Sequence, residues 1–284
     1  MKPVVEFRAP DTLEEACALL AGNEEARAVA GGTALAILLR QGLVRPEMLV
    51  SIGRIPGLRD IQVNGQLRLG AGVPLRVAEE HAGLQAGWPV LAETLRSVAT
   101  PRIRNMATIG GSVAHADPAQ DPPVTLVALQ AQMLVAGPSD TRRVAAREFF
   151  VDYYETALQP GEVLEAIEVP PLEANTRAVF LKYRPRSVED YATVSAAAVV
   201  GLHASGVCQT ARLVLGAVGS TPVSVPVAAA LIGHVIDEPR AREAAELARD
   251  LVDPTDDVRG SARYKREMAV VFARRALLAA ATAR

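Results

Sequence analysis

The chain has 284 residues, half of them hydrophobic, and a formal net charge of −2 at pH 7. This length allows two or three small domains, and the mixed charges, without a basic run, exclude nucleic acid as an expected partner. Cys17 and Cys208 are the only cysteines, too few for a disulfide framework, a zinc site or an iron–sulfur cluster. With no signal-peptide pattern and no apolar run long enough for a transmembrane segment, a reducing cytoplasm is expected.

Residues 1–55 predict a small α/β unit. Thr12 and Glu15 match a capping box that opens a helix, and Gly22 stands where its C-terminal cap belongs. The segment ARAVAG then favours a buried strand followed by a turn at a glycine pair. TALAILLRQ predicts a helix that ends at Gly42, and EMLVSI predicts another strand.

Residues 56–172 predict a second unit. Asn64-Gly65 between two alternating segments is typical of a β-hairpin with a type I′ turn. PVLAETLRSVA and PPVTLVALQ have helical spacing, whereas AQMLVAG and GEVLEAIEVPP favour strands. A proline pair closes the last strand, so a domain boundary is expected within residues 170–175.

Residues 173–284 predict three antiparallel strands followed by helices. The strand segments are AVFLKYRPR, YATVSAAAVVGLHA and CQTARLVLGAVGS, with turns near Ser187-Val188-Glu189 and Ser205-Gly206. The last helix, SARYKREMAVVFARRALLAAA, has the pattern of a basic amphipathic membrane helix. Acidic residues just upstream favour instead a helix packed on one face and solvated on the other.

Two glycine pairs, Gly31-Gly32 and Gly110-Gly111, suggest close approach of backbone to a ligand. Backbone N–H groups at such turns bind anions, above all where a helix begins close behind. Neither the P-loop pattern nor the GxGxxG dinucleotide fingerprint is present. From the residues alone, each pair is either a plain tight turn or part of a site for a phosphate-containing ligand.

Four longer segments carry a family resemblance, in the family's order and at its spacing: AGGTAL (30–35), IRNMATIGGSVAHADPAQDPP (103–123), KYRPRSVEDYATVSAAAV (182–199) and DPTDDVRGSARYKREMAVVFARRAL (253–277). Together they resemble the FAD-binding medium subunit of molybdenum hydroxylases, the group that contains carbon monoxide dehydrogenase and xanthine dehydrogenase. The resemblance covers essentially the whole chain.

The resemblance implies an α+β chain with a two-subdomain FAD-binding fold of the vanillyl-alcohol oxidase and p-cresol methylhydroxylase type. Subdomain 1 would span residues 1–55 and subdomain 2 residues 56–172, with FAD between them. Residues 173–284 would form a C-terminal domain with a three-stranded antiparallel sheet and a helical bundle.

Both glycine turns are then expected to approach the FAD, chiefly its pyrophosphate and the neighbouring sugar groups. The residues concerned are Ala30, Gly31, Gly32, Thr33, Ala34 and Leu35 in the first turn and Thr108, Ile109, Gly110, Gly111 and Ser112 in the second. Gly32 and Ser112 occupy positions that vary among branches of the family. A branched side chain at Gly110 is expected to occupy the cofactor's place and abolish its retention.

Further site residues are implied singly by the resemblance. Asp121 matches a carboxylate that hydrogen-bonds the cofactor, and Lys182 a basic residue near the isoalloxazine. Tyr191 matches an aromatic that covers the flavin ring in the carbon monoxide dehydrogenase branch. Leu164 and Ile109 are the expected apolar contacts to the ring.

Ordinary structural roles compete with several of these assignments. Lys182 could be a solvated strand lysine, and Tyr191 a half-buried strand aromatic. His115 and Asp117 belong to the motif without an assigned role, and with Asp121 they offer mixed metal ligands. The neighbouring prolines and glycine turn favour a cofactor loop, and no metal is expected.

The resemblance implies an oxidoreductase component, an electron-transfer flavoprotein subunit that binds FAD non-covalently and has no catalytic side chain of its own. Molybdopterin and [2Fe–2S] clusters are expected only on a large and a small partner subunit, in a dimer of heterotrimers. Electrons would pass from the clusters through FAD to quinone, NAD or another acceptor. The complex is expected in the cytoplasm or at the inner membrane as a peripheral assembly.

Two alternatives stay open at this stage. One is a stand-alone nucleotide-binding or assembly module of the same fold. The other is an independent flavin oxidoreductase. The substrate of the complex does not follow from this chain, because the medium subunit does not touch it.

Overall fold

The computed structural model describes residues 5–187 and 190–283. Sheets of three, five and four strands and a two-stranded ribbon organise this part of the chain. Each of the three larger sheets belongs to its own hydrophobic core. No helix within the described residues is long and apolar enough to cross a membrane.

The first unit is a parallel sheet of order β1-β3-β2 with two helices: β1 (Glu6–Arg8), α1 (Leu13–Ala21), β2 (Ala26–Val29), α2 (Leu35–Gln41) and β3 (Met48–Ser51). The predicted order of helix, strand, helix and strand is confirmed, and β1 is an addition. Thr12 caps α1 by accepting the Glu15 N–H at 3.2 Å. Gly42 ends α2 with a φ of 71°, a conformation that glycine adopts at little cost.

The second unit is an antiparallel sheet of order β4-β5-β10-β6-β7, with helices between β5 and β6. Its elements are β4 (Ile61–Val63), β5 (Leu67–Gly70), α3 (Leu75–Glu80), α4 (Ala82–Gly87), α5 (Pro89–Arg96), α6 (Pro101–Met106), α7 (Ile109–His115), α8 (Asp121–Ala128), β6 (Gln132–Ala136), β7 (Thr141–Ala145), α9 (Ala146–Phe149), β8 (Phe150–Asp152), β9 (Glu155–Thr156) and β10 (Val163–Val169). The antiparallel pair β8 and β9 forms the ribbon.

The predicted hairpin at Asn64-Gly65 exists, but its turn is not of type I′. Val63 pairs with Leu67, so three residues separate the strands, and of these only Gly65 has a positive φ, 75°. A type I′ turn needs a positive φ at two consecutive residues, and a three-residue loop with one such glycine is the next common solution.

The C-terminal unit is a four-stranded antiparallel sheet of order β11-β12-β13-β14, covered by helices. Its elements are β11 (Thr176–Tyr183), β12 (Val194–Leu202), β13 (Cys208–Gly216), β14 (Val223–Val225), α10 (Ala228–Leu231), α11 (Glu238–Glu246) and α12 (Ala262–Thr282). The expectation of three strands is therefore corrected to four. Three residues are too few to show the alternation that marks a strand in a sequence.

The two predicted turns of this sheet fare differently. Gly206 has a φ of 83° and lies in the turn between β12 and β13, as predicted. Residues 188 and 189 of the other turn lie outside the described residues. The last helix, α12, packs an alanine-rich face against the sheet, with Ala269, Ala273 and Leu277 fully buried.

The second unit packs against both of the others. The core of the second unit also includes three residues of the C-terminal sheet, Ala197, Val199 and Val214, because α8 packs on β12 and β13. The first core likewise includes Ala136 and Val163 of the second unit. The end of α6 lies against Gly31 of the first unit, whereas α5 contacts β11 and α8 contacts β12 and β13. The segment from α5 to α8 therefore lies where the three units meet.

Candidate cofactor site

A cavity of about 880 Å³ opens at this junction. Its walls come from residues 27–44 of the first unit, from residues 98–122 and 154–164 of the second, and from β11 and the segment after it. The lining includes all but one of the predicted site residues: Ala30, Gly31, Gly32, Thr33, Ala34, Leu35, Thr108, Gly110, Gly111, Ser112, Asp121, Leu164, Lys182 and Tyr191. Ile109 is the exception, because its side chain is fully buried in the second core.

The first glycine pair forms a turn with free backbone donors. Within the described part of the chain, no acceptor takes a hydrogen bond from the backbone N–H groups of residues 31–35. A Cβ on Gly31 would lie 1.9 Å from the Met106 carbonyl oxygen, so only glycine lets this turn pack on the end of α6. Gly32 has a φ of 69° and needs glycine for its conformation. Five consecutive backbone N–H groups, all on residues that line the cavity, thus have no acceptor among the described residues.

The second glycine pair is built differently from the free turn that the sequence predicted. It forms the first turn of α7, whose N-cap is Thr108. Its N–H groups are used within the protein: Ile109 donates to Val73 O and Gly110 to Ala71 O, both at 2.9 Å, and Gly111 donates to Thr108 Oγ1 at 3.1 Å. This turn therefore lines the cavity but leaves few backbone N–H groups free for a ligand.

The reason for a glycine at position 110 also differs from the expectation. A Cβ there would lie 2.3 Å from Ala71 Cβ and 2.7 Å from Ala71 O. A side chain on Gly110 would therefore collide with the chain that follows β5, and not with a ligand. The neighbouring Ser112 hydroxyl donates to Gln120 Oε1 at the start of α8.

A buried ion pair forms one end of the cavity. Lys182 Nζ on β11 lies 2.6 Å from Asp121 Oδ2 at the start of α8, and the two side chains are only 4% and 3% exposed. Lys182 also donates to the Ser97 carbonyl at 3.1 Å, and the Ser97 hydroxyl donates to Asp121 Oδ2 at 3.4 Å. This burial excludes the alternative of a solvated strand lysine.

In the part of the chain that the structure describes, the Asp121 carboxylate has hydrogen-bond donors at only one of its two oxygens. Its other oxygen, Oδ1, is buried and accepts no hydrogen bond from the described residues. Burial raises the pKa of Asp121 to about 6, although Lys182 opposes that rise. A buried, unpartnered carboxylate oxygen is costly and marks a place where a ligand donor fits.

A second buried pair supports this end of the cavity and was not predicted. Arg104 Nε on α6 lies 2.9 Å from Glu79 Oε2 on α3, and both side chains are buried. The guanidinium also donates to Val98 O at 2.8 Å and Ala99 O at 3.2 Å, and Ala99 has a positive φ of 41°. The pair fixes the loop that follows Ser97. In the sequence, both residues look like ordinary solvated helix positions.

Aromatic side chains also line the cavity. Tyr191 is 43% exposed, and the Arg259 guanidinium carbon lies 5.3 Å from its ring centroid. Tyr154, which was not predicted, has its ring 5.2 Å from that of His115, and both line the cavity. Burial lowers the pKa of His115 and so favours its neutral form.

Asp117 is separated from the other two residues of the suggested metal set. It lines a smaller neighbouring cavity and accepts the Ala119 N–H at 2.9 Å, whereas His115 and Asp121 line the main one. Among residues 5–187 and 190–283, no group of three or more His, Cys, Asp and Glu side chains is placed to hold a metal ion.

Comparison with known proteins identifies the family. Residues 3–172 match the family model of the FAD binding domain in molybdopterin dehydrogenase, and residues 179–280 match that of the CO dehydrogenase flavoprotein C-terminal domain. The chain belongs to the FAD-binding medium subunits of molybdenum hydroxylases. Such medium subunits are components of oxidoreductase complexes in which molybdopterin and the iron–sulfur clusters belong to other subunits.

Individual medium subunits are similar over the whole chain. The carbon monoxide dehydrogenase medium chain of Afipia carboxidovorans is 36% identical over 96% of this chain and 95% of its own length. Subunit alpha of the 6-hydroxypseudooxynicotine dehydrogenase complex of Paenarthrobacter nicotinovorans is 34% identical over 97% and 94%. A solved structure of reconstituted CO dehydrogenase from Oligotropha carboxidovorans superposes with a TM-score of 0.95, 33% identity and full coverage of both chains. The predicted family and fold class are thereby confirmed.

Proposed function

We propose that this medium subunit holds FAD non-covalently in the 880 Å³ cavity and passes electrons from the iron–sulfur clusters of a partner subunit to an external acceptor. The observation that carries the proposal is that one cavity joins a run of free backbone donors to a buried carboxylate with an unpartnered oxygen. The first feature suits a diphosphate, and the second suits the polar edge of a flavin or its ribityl chain. When bound, FAD supplies one- and two-electron redox chemistry.

The pyrophosphate is assigned to the first turn, from Ala30 to Leu35. Backbone N–H groups that converge on a concave surface bind phosphate oxygens without a cationic side chain. The second turn has a different part, because its donors are occupied. We assign Thr108, Gly110, Gly111 and Ser112 to the wall against which the cofactor packs, and Ile109 to the core that supports this wall.

The flavin end is assigned to the other lining residues. Asp121 Oδ1 would accept a hydrogen bond from the cofactor, and the buried Lys182 ammonium would favour negative charge on reduced flavin. Leu164 and Tyr191 would supply apolar contacts to the ring. The protein's own contribution is to bind, to orient and to exclude water, and no side chain of this chain performs the redox step.

The partners that we propose are a small iron–sulfur subunit and a large molybdopterin subunit in a dimer of heterotrimers, with quinone or NAD as the electron acceptor. The printed names of the relatives, a carbon monoxide dehydrogenase and a 6-hydroxypseudooxynicotine dehydrogenase complex, support a multi-subunit enzyme. Because those names differ in substrate, the substrate is set elsewhere in the complex. We also propose a cytoplasmic or peripheral inner-membrane location, and subdomain limits at residues 55 and 172.

Titration of the purified full chain with FAD tests this function, followed by flavin absorbance and calorimetry. The expected result is a yellow protein with one FAD per chain. Thr33→Asp places a carboxylate among the free donors and should weaken binding at least about tenfold, because it repels the phosphates across a few ångströms. Thr141→Asp, on the exposed start of β7, is the matched control and should bind FAD normally.

The outcomes separate the candidate functions. A colourless chain that does not take up FAD would support the stand-alone module. Equal affinity of wild type and Thr33→Asp would remove the pyrophosphate from the first turn. Reduction of the bound flavin by dithionite and its reoxidation by ferricyanide should proceed without any organic substrate. A stoichiometric organic electron donor acting on this chain alone would point to the independent oxidoreductase.

A further inference from the structure

The turn before α12, residues 257–260, lies beside the segment that carries Tyr191. Asp257 and Gly260 bond to each other through their backbones, each N–H donating to the other's carbonyl at 3.1 Å. The Asp257 carboxylate also accepts the Arg259 backbone N–H at 2.8 Å. These bonds close a tight turn from which the Arg259 side chain projects.

Arg259 contacts the Tyr191 segment in two ways. Its guanidinium lies over the Tyr191 ring, 5.3 Å from the centroid, at cation–π distance. Its Nε lies 3.8 Å from Asp190 Oδ1, the same oxygen that accepts the Tyr191 backbone N–H at 2.8 Å. One guanidinium thus faces both the ring of Tyr191 and the carboxylate that fixes its backbone.

Asp257 and Lys265 in turn hold Arg259 in place. Its Nη1 lies 3.1 Å from Asp257 Oδ2, and the other oxygen of Asp257 lies 2.9 Å from Lys265 Nζ. Lys265 is only 4% exposed and donates also to the Thr255 carbonyl at 2.9 Å. A buried lysine needs such partners, and this one anchors the turn to the long helix α12.

We propose that Arg259 is a positioning residue that holds Tyr191 against the cofactor cavity, with Asp257 and Lys265 as its anchor. The chain of contacts from Lys265 through Asp257 and Arg259 to Tyr191 limits access to the cavity. Tyr191 lines that cavity and remains partly exposed, so a shift of its ring would open the rim to solvent and to an electron acceptor. The inference rests on the proposed FAD site, since the cover matters only if flavin lies beneath it.

Access to the flavin can be measured by quenching of its fluorescence with acrylamide. This quencher is neutral, so the loss of a charge does not by itself alter its approach. In the FAD-loaded full chain, Arg259→Gln should raise the quenching constant about two- to fivefold, the change in population that loss of a partly exposed cation–π contact gives. Arg259→Lys should restore part of the protection, because it keeps the charge without the planar guanidinium. Arg242→Gln removes an exposed arginine of the same domain and should leave quenching unchanged.

A double variant separates positioning from a general loss of structure. Tyr191→Leu should raise quenching, and adding Arg259→Gln to it should then change nothing, because the residue through which Arg259 acts is gone. Hydrogen exchange of residues 190–193 in the FAD-free chain gives a second readout, which should be faster in Arg259→Gln than in wild type.

Two results would overturn the inference: protection equal to wild type in Arg259→Gln, or an undiminished effect of Arg259→Gln in the Tyr191→Leu background. If the chain does not bind FAD, the proposed function fails on its own. The exchange measurement then still decides whether Arg259 holds Tyr191, with unchanged exchange rejecting it.

Discussion

Replacing Asp121 with asparagine should stabilise the cofactor-free chain, relative to wild type, progressively as the pH rises. Asparagine has nearly the shape of a protonated aspartic acid, so it keeps the neutral form at every pH. In the wild type the carboxyl must ionise within a buried site whose Oδ1 has no donor among the described residues. The neighbouring Lys182 lowers the cost of that charge without abolishing it, because the pKa of Asp121 remains raised, at about 6.

The magnitude follows from proton linkage. The pKa of Asp121 is about 6 in the folded chain and 3.8 ordinarily, so the folded state binds more protons than the unfolded state between these values. Stability therefore falls as the pH rises through this window. The full loss is on the order of 3 kcal/mol above pH 6, at about 1.4 kcal/mol per pH unit. About half of it, roughly 1.4 kcal/mol, falls between pH 5 and pH 7.5.

Urea unfolding of the FAD-free chain at pH 5 and at pH 7.5 measures this quantity. The free energy of unfolding of Asp121→Asn minus that of wild type should rise by about 1.4 kcal/mol between the two pH values. Any constant effect of the substitution cancels in this comparison. Asp253→Asn, at a side chain that is 99% exposed, serves as the control. A difference that falls as the pH rises would show that Lys182 stabilises the carboxylate more than burial destabilises it, and would refute the reasoning.

Two further substitutions test the packing and the charge of the site. Gly110→Ala should lower the free energy of unfolding of the FAD-free chain by about 1–3 kcal/mol, because its Cβ would lie 2.3 Å from Ala71 Cβ. Gly87→Ala is the control: its Cβ meets no atom within 4 Å, so the free energy of unfolding should not fall. Urea unfolding midpoints measure this effect. If Gly110→Ala were as stable as wild type but no longer bound FAD, a direct contact of position 110 with the cofactor would be the better explanation. Lys182→Met leaves Asp121 buried without its cation and should cost about 3–5 kcal/mol at pH 7.5 and less at pH 5, where Asp121 is protonated. An equal loss at both pH values in urea unfolding would contradict that origin.

The fold was predictable where a local pattern decides it. The helix capped by Thr12 and the hairpin around Gly65 are examples, because capping residues and glycines act within a few positions of the chain. The β14 strand and the type of the hairpin turn were missed. Both depend on pairing with another strand, and three residues of either carry too little pattern to show it.

The segments that form the site could be predicted, but the contacts between their residues could not. The family motifs bring Asp121 and Lys182 into one cavity, yet their separation of 61 positions gives no sign that they touch. Arg104 and Glu79 were missed for the same reason, because a buried ion pair and a solvated one look alike in a sequence.

The two glycine pairs show most clearly why sequence likeness and physical role can part. Both pairs follow an apolar residue, and they look interchangeable in the sequence. In the structure the first presents free N–H groups, whereas the second uses its N–H groups to join α7 to the chain after β5. The sequence does not reveal which acceptors lie near, and that alone decides whether a backbone donor remains for a ligand. We therefore propose one pyrophosphate cradle, the first turn, rather than two equal ones.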